Sequence, residues 1–284
     1  MLLTRELLQT INNIAVEAAD RIMAVYLRPG SVDVSNKPDQ SPLTEADLQA
    51  HEVILAALTK LTPDIPVLSE ESAHVPFAIR QRWTQYWLVD PLDGTKEFIT
   101  RNGEFTVNIA LISDGKPVLG VVHVPVSGIS YLGLCETVRM AWRCEPGQAW
   151  QSIHVSPMSA DDAAAGVALR VVASRRHGAE ALDRCMAVIK ERYPCVEMLN
   201  MGSSLKFCVI AEGFADMYPR LSPTSEWDTA AAHAVLRGAG GDVLQADLSP
   251  LVYNTRDSLL NPSFVAVAAT GQDDLELVGR AMSA

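Results

Sequence analysis

Five β-like runs fall close together between residues 86 and 143, at 86–89, 105–112, 117–124, 129–134 and 138–143. The run at 105–112 alternates, and a Ser113-Asp114-Gly115-Lys116 turn joins it to the run at 117–124, which predicts a hairpin in a mixed sheet. Sheets this apolar need covering layers, and helical periodicity on the N-terminal side supplies them. Over residues 4–27, Leu7, Ile11, Ile14, Ala18, Ile22 and Val25 recur at three-to-four spacing until Pro29-Gly30 stops the pattern. The stripe is expected to face a core, because Glu6, Glu17 and Asp20 suit it poorly to an anionic lipid surface. A second helix is expected after Ser41-Pro42, capped by Thr44, with Ile54, Leu55, Leu58 and Leu61 inward and Pro63 at its end. A further short strand is expected at 65–69.

Residues 156–166 are rich in Ser, Asp and Ala, and a boundary is placed there between an N-terminal α+β domain (1–155) and a C-terminal α/β domain (156–284). Beyond it, strand patterns at 170–173, 196–199, 216–218 and 264–269 alternate with helical patterns at 179–191, 204–211, 227–239 and 272–282. The expected class is therefore α/β (α+β), in layers.

With 284 residues, 23 basic against 34 acidic, the chain has a formal charge of -11, which excludes a nucleic-acid polymer as the natural partner. A small anionic substrate stays open, since bound cations can invert the charge of an acidic pocket. Five cysteines without a C-x-x-C pair suit a reducing compartment. The opening Met1-Leu2-Leu3-Thr4-Arg5-Glu6 has no leader-like apolar core, and no run approaches the roughly 18 apolar residues of a membrane span. A cytoplasmic location is expected, with peripheral association at the inner membrane's cytoplasmic face left open.

The chemistry concentrates where the run at 86–89 meets Asp90-Pro91-Leu92-Asp93-Gly94-Thr95. Pro91 removes a backbone donor and Gly94 permits a sharp turn, so both Asp side chains and the Leu92 carbonyl can converge on one cation. Oxygen ligands with no His or Cys nearby favour Mg²⁺ or Mn²⁺ over Zn²⁺. The alternative is that Asp90 and Asp93 form an Asx turn and cap the following helix. Glu70-Glu71 at a strand end and Asp228 in Trp227-Asp228-Thr229 are further candidates, each with its own alternative as a solvated face or a helix-dipole carboxylate.

Taken together and in order, Leu68-Ser69-Glu70-Glu71-Ser72, Asp90-Pro91-Leu92-Asp93-Gly94-Thr95 and Trp227-Asp228-Thr229-Ala230-Ala231 resemble the signatures of the inositol monophosphatase superfamily, metal-dependent and lithium-sensitive phosphatases. Lys37-x-Asp39-x-Ser41-Pro42-Leu43-Thr44-x-x-Asp47, Gly94-Thr95-Lys96-Glu97-Phe98-Ile99, the segment from Arg101 through Ile109 and Gly202-Ser203-Ser204-Leu205-Lys206-Phe207-Cys208 are similar to its bacterial bisphosphate-nucleotidase branch. The resemblance implies an α/β/α/β/α sandwich, and two or three Mg²⁺ ions on Glu70, Asp90, the Leu92 carbonyl, Asp93 and Asp228. It implies catalytic roles for Asp47, Thr95 and Glu70, with Lys37 in support near the metal waters. A small-molecule nucleotide substrate would meet Glu70, Leu92, Asp93, Gly94, Thr95, His177, Ser203, Lys206, Arg220 and Asp228, and the helix start at Ser203 would suit an anion. The implied activity is removal of the 3′-phosphate of adenosine 3′,5′-bisphosphate, in sulfur assimilation, by a monomer or homodimer. Thr44 to Asp47 has a capping-box spacing as well, and Ser203 with Lys206 allows a plain helix cap and a snorkelling surface lysine.

Two other readings stand beside this one, an inositol monophosphatase and a non-catalytic protein that binds a phosphorylated metabolite. A haloacid-dehalogenase-type phosphatase is excluded, since its nucleophilic Asp would fall at Pro91.

Overall fold

The N-terminal stripe forms helix α1 (Arg5–Tyr26) in this computed structural model, which describes residues 3–29, 34–36, 42–72, 75–158, 163–173 and 179–284. Thr4 caps the helix, its hydroxyl accepting from the Leu7 N–H at 3.1 Å. The buried face is rotated slightly from the expected one, with Leu8 inward and Leu7 half-buried. A two-stranded antiparallel ribbon, β1 (Val34–Asn36) and β2 (Pro42–Thr44), leads into helix α2 (Glu45–Leu61). Ala46, Ala50, Ile54 and Leu58, four apart, form its buried face. Leu61 falls outside that row and is exposed.

The strand-rich segment becomes a seven-stranded sheet in sequence order: β3 (Val67–Ser69), β4 (Gln85–Asp93), β5 (Thr106–Ser113), β6 (Lys116–Val124), β7 (Ile129–Cys135), β8 (Arg139–Cys144) and β9 (Gln151–Ser152). Only β3–β4 is a parallel pair. The expected hairpin is β5–β6, whose turn places Asp114 at φ 48 and Gly115 at φ 72. Two short helices, α3 (Phe77–Arg80) and α4 (Thr95–Ile99), flank β4.

A five-stranded sheet follows, β10 (Leu169–Ala173), β11 (Val196–Asn200), β12 (Met217–Arg220), β13 (Asp242–Gln245) and β14 (Phe264–Val267), in the order β11-β10-β12-β14-β13. Its helices are α5 (Ala179–Ile189), α6 (Leu205–Ala211), α7 (Glu226–Gly238) and α8 (Gln272–Met282). Residues 242–245 carry too little β-like pattern to be recognised alone, but they pair along β14.

The layers run α/β/α/β/α. Helices α1 and α2 share a core with Trp87, Val89, Val107, Ile109 and Val121 of the large sheet. The opposite face, with Tyr86, Leu88, Ala110 and Val122, joins α6, α7, the small sheet and the α5–α8 pair in one continuous core. β5 and β6 are buried on both faces although they pair antiparallel, and Thr106 and Asn108 are buried polar residues of β5. Helix α7 lies unusually close to the sheet: a Cβ on Gly120 would stand 2.2 Å from the Ala231 carbonyl oxygen, and one on Gly133 2.5 Å from that of Ala234. No helix among the described residues is long and apolar enough to cross a membrane, and the five cysteines are free thiols.

Candidate active site

Asp93 lies three positions after Asp90, a spacing that sends side chains to opposite faces of a regular strand. Here β4 continues past Val89 to Asp93, and its pairing with β5 shifts between the two carboxylates: Asp90 lies opposite Asn108 and Asp93 opposite Thr106. Three steps of β4 thus match two of β5. This bulge turns both carboxylates to the same face, where Pro91, lacking an N–H, removes no ladder bond. The segment is a bulged strand rather than the expected turn. Gly94 then turns the chain into α4 from φ 93, with the Glu104 carbonyl oxygen only 3.2 Å from where a Cβ would stand.

Asp90 is 1% exposed and does form an Asx turn, accepting the Leu92 N–H at 3.0 Å. Asp93 does not cap α4. Its Oδ2 accepts the Ser203 hydroxyl at 2.5 Å and the Ser204 N–H at 2.7 Å, with Asn108 Nδ2 at 3.5 Å. Behind it, Thr106 Oγ1 lies 2.6 Å from Ser203 Oγ and 2.9 Å from Ser204 Oγ, and Ser204 Oγ donates to Asn108 Oδ1 at 2.9 Å. Thr106 and Asn108 were not singled out from sequence as site residues. Their signal is a pair of polar residues two apart on the inner face of an apolar strand.

Asp47 and Asp228 share a device. Each is the third residue of its helix in a capping box, so one carboxylate oxygen is fixed by the N-cap backbone. Asp47 Oδ2 accepts the Thr44 N–H at 2.8 Å and the Thr44 hydroxyl at 2.6 Å, and Oδ1 stands 3.4 Å from Thr95 Oγ1. Asp228 Oδ2 accepts the Ser225 N–H at 2.9 Å. The capping role and a place at the site therefore coexist, because capping occupies only one of the two oxygens. Glu70 follows β3, anchored by its N–H to the Val89 carbonyl at 3.1 Å.

The carboxylates face one another. Burial, then Glu70, Asp93 and Asp228 push the Asp90 carboxyl well above the usual range. Asp228 is likewise raised by burial, then Asp93 and Glu70, against the lowering effects of the Ser225 N–H and Arg220. Among the described residues no three acidic, His or Cys side chains close around a single point as a finished ligand shell. The donor set nonetheless fits a hard divalent cation: it is all oxygen, half-buried around a buried Asp90, and mutually repulsive until positive charge is supplied.

A cleft of about 330 Å³ opens over Asp93, Gly94, Thr95 and Asp228, and Ser203, Lys206 and Arg220 line it as well. Glu97, Asn102, Glu104, Tyr218 and Phe264 complete walls that the sequence reading did not assign. Lys206 is no snorkelling surface lysine. It is 7% exposed, donates to the Ser203 carbonyl at 2.8 Å and lies 5.5 Å from the centroid of the Tyr218 ring. Burial brings its pKa down to about 8. The expected anion-friendly helix start is occupied internally: α6 begins at Leu205, Ser203 adopts φ 51, and the Ser204 N–H is bound to the Asp93 carboxylate. Arg220 donates to the Ser222 and Pro223 carbonyls at 3.1 and 3.2 Å. Lys37 and His177 lie outside the described residues.

A family model described as the inositol monophosphatase family matches residues 4–274. The 3′(2′),5′-bisphosphate nucleotidase CysQ of Escherichia coli (strain K12) is 47% identical over 258 residues, covering 91% of this chain and 98% of that protein. Its Haemophilus influenzae counterpart is 35% identical, covering 93% and 94%. The crystal structure of CysQ from Bacteroides thetaiotaomicron superposes with a TM-score of 0.79 at 39% identity, over 94% of this chain and 99% of that one. An inositol monophosphatase from Anabaena shares the fold at a TM-score of 0.71 and 22% identity, over 98% of this chain and 96% of that one. The capping-box carboxylates, the bulged Asp90–Asp93 strand and these likenesses agree: the chain belongs to the inositol monophosphatase family.

Proposed function

We propose that this chain is a Mg²⁺-dependent phosphohydrolase that converts adenosine 3′,5′-bisphosphate to AMP and phosphate. We infer that it also accepts the 3′-phosphate of phosphoadenylyl sulfate, and that it serves sulfur assimilation. The observation that carries the substrate choice is the presence of Lys206 and Arg220 in the same cleft as Asp93, Thr95 and Asp228. An inositol monophosphate has one phosphate to place, whereas a bisphosphorylated nucleoside brings a second, and two cationic side chains beside an acidic centre suit that second group. The name carried by the curated relatives, 3′(2′),5′-bisphosphate nucleotidase, supports the same reading.

Glu70, Asp90, the Leu92 carbonyl, Asp93 and Asp228 would hold the Mg²⁺ ions. When bound, such ions neutralise phosphoryl charge and make water a better nucleophile near neutral pH. Thr95 Oγ1 orients the attacking water and takes its proton while passing its own to Oδ1 of Asp47, a carboxylate whose Oδ2 the Thr44 N–H and hydroxyl hold in place. Water attacks phosphorus in line as the bond to the 3′-oxygen breaks, and that oxygen leaves with the bond electrons and takes a proton from solvent water, without a covalent phosphoenzyme. Lys206 and Arg220 anchor the second phosphate and so align the scissile one.

The test is phosphate release from adenosine 3′,5′-bisphosphate and inositol 1-phosphate side by side, with and without Mg²⁺. Strong Mg²⁺-dependent preference for the nucleotide is expected. Preference for inositol 1-phosphate overturns the substrate assignment, and binding of either without release makes the protein a non-catalytic binder.

A further inference from the structure

Arg80, the last residue of α3, is 0% exposed. Its Nη1 donates to Asn254 Oδ1 at 2.5 Å and to the Arg256 carbonyl at 3.0 Å, and its Nη2 donates to the Asp257 carbonyl. Asn254 returns a bond from Nδ2 to the Arg80 carbonyl at 2.6 Å. From a left-handed backbone, φ 56, the Asn254 N–H then donates to both carboxylate oxygens of Glu226, at 3.0 and 2.9 Å. Glu226 is 1% exposed and opens α7, two residues before Asp228. The same loop holds the rest of the helix opening: the Leu259 carbonyl accepts the Glu226 N–H at 2.8 Å, and Asn261 Nδ2 donates to the Ser225 carbonyl at 2.8 Å.

A buried guanidinium and carboxylate are a costly way to hold two elements together, since apolar side chains of similar volume do so as well or better. What hydrogen-bonded charges add is fixed direction. This network starts just before β4, the strand that presents Asp90 and Asp93, and ends on the helix that presents Asp228. We propose that Arg80, Asn254 and Glu226 are positioning residues that set Asp228 against the Asp90–Asp93 bulge, and with it the affinity of the cleft for a divalent cation. The inference deepens the proposed function and rests on its reading of these carboxylates as a cation site.

The experiment measures Mn²⁺ binding to the substrate-free protein by electron paramagnetic resonance, alongside melting temperature, the Mg²⁺ concentration giving half-maximal activity, and KM. Asn254→Gly keeps the left-handed backbone and the N–H to Glu226 but removes both arms to Arg80. Its Mn²⁺ dissociation constant is expected to rise about tenfold, as when a supporting partner of a metal ligand is lost. The Mg²⁺ requirement should rise in parallel, with KM at saturating Mg²⁺ changed by less than about twofold. Glu226→Gln, which keeps one acceptor oxygen, should show a smaller shift in the same direction. Mn²⁺ affinity unchanged in both variants overturns the proposal and leaves the network a stability element, whatever the melting temperatures. If Asn254→Gly does not fold, Arg80→Lys, which keeps the charge but loses the fork, carries the same expectation and the same overturning result. Failure of the parent protein to bind Mn²⁺ overturns the cation-site reading itself.

Discussion

Asp93 is held by three partners from two separate parts of the chain. Ser203 and Ser204 approach from the α6 side and Asn108 from β5. Asp93→Asn keeps the shape but removes the charge. Mg²⁺-dependent phosphate release should fall by well over a hundredfold with the melting temperature preserved, because loss of a mere supporting partner already costs about 10–100-fold. Asn108→Ala belongs to that lesser class and should lose about 10–100-fold in kcat/KM, with most of the loss recovered at high Mg²⁺. At Gly94 the constraint is conformational. Gly94→Ala puts a side chain at φ 93 and against the Glu104 carbonyl, so thermal unfolding should show a loss of about 1–2 kcal/mol and activity should fall with it.

Helix α7 delivers Asp228, and its position depends on what its partners lack. Ala230, Ala231 and Ala234 face the sheet with small side chains, and Gly120 of β6 and Gly133 of β7 leave room for the helix backbone. A methyl group at Gly120 would overlap the Ala231 carbonyl, and the contact cannot be relieved by a rotamer change because the obstacle is backbone. Gly120→Ala should therefore cost about 1–3 kcal/mol by overpacking. It should also weaken Mn²⁺ binding, since the helix must move outward and carry Asp228 with it. A lower melting temperature with unchanged Mn²⁺ affinity would show that the helix start is held independently of its middle.

For the molecule as a whole, the acidic centre and a buried histidine set opposite responses to solution conditions. Mutually facing carboxylates favour the folded state most when a cation is bound, so Mg²⁺ at about a hundredfold excess over its dissociation constant should stabilise the fold by about 2.7 kcal/mol. Melting in Mg²⁺ and in chelator, compared directly, checks this. His123 is buried at the end of β6 with Nδ1 2.8 Å from Ser130 Oγ, and burial brings its pKa down to about 4. The unfolded chain takes up this proton near pH 6.5 and the folded one only near 4, so its contribution is complete above about pH 6.5 and is lost as pH falls toward 4. The full difference is about 3 kcal/mol. Urea midpoints between pH 7 and 4 should fall more steeply in the parent than in His123→Gln.

Local pattern carried much of the answer. The helices at both ends, the β5–β6 hairpin and the acidic motifs were legible because periodicity, turn chemistry and carboxylate spacing act over a few residues. Asp90 and Asp93 were singled out for that reason and Asp228 by the resemblance of its segment to a family signature, whereas the alternation read at 105–112 did not disclose that both faces of β5 are buried. The rest depends on chain segments remote in sequence. Thr106 and Asn108 became supports for Asp93 only when the 203–204 segment folded over them, and Lys206 turned out buried only because Tyr218 and the cleft closed around it. The bulge that aligns Asp90 with Asp93 exists only as a mismatch between two strands. Side-chain type and short-range spacing are properties of the chain alone, whereas direction, burial and charge environment arise when distant segments exclude water from one another.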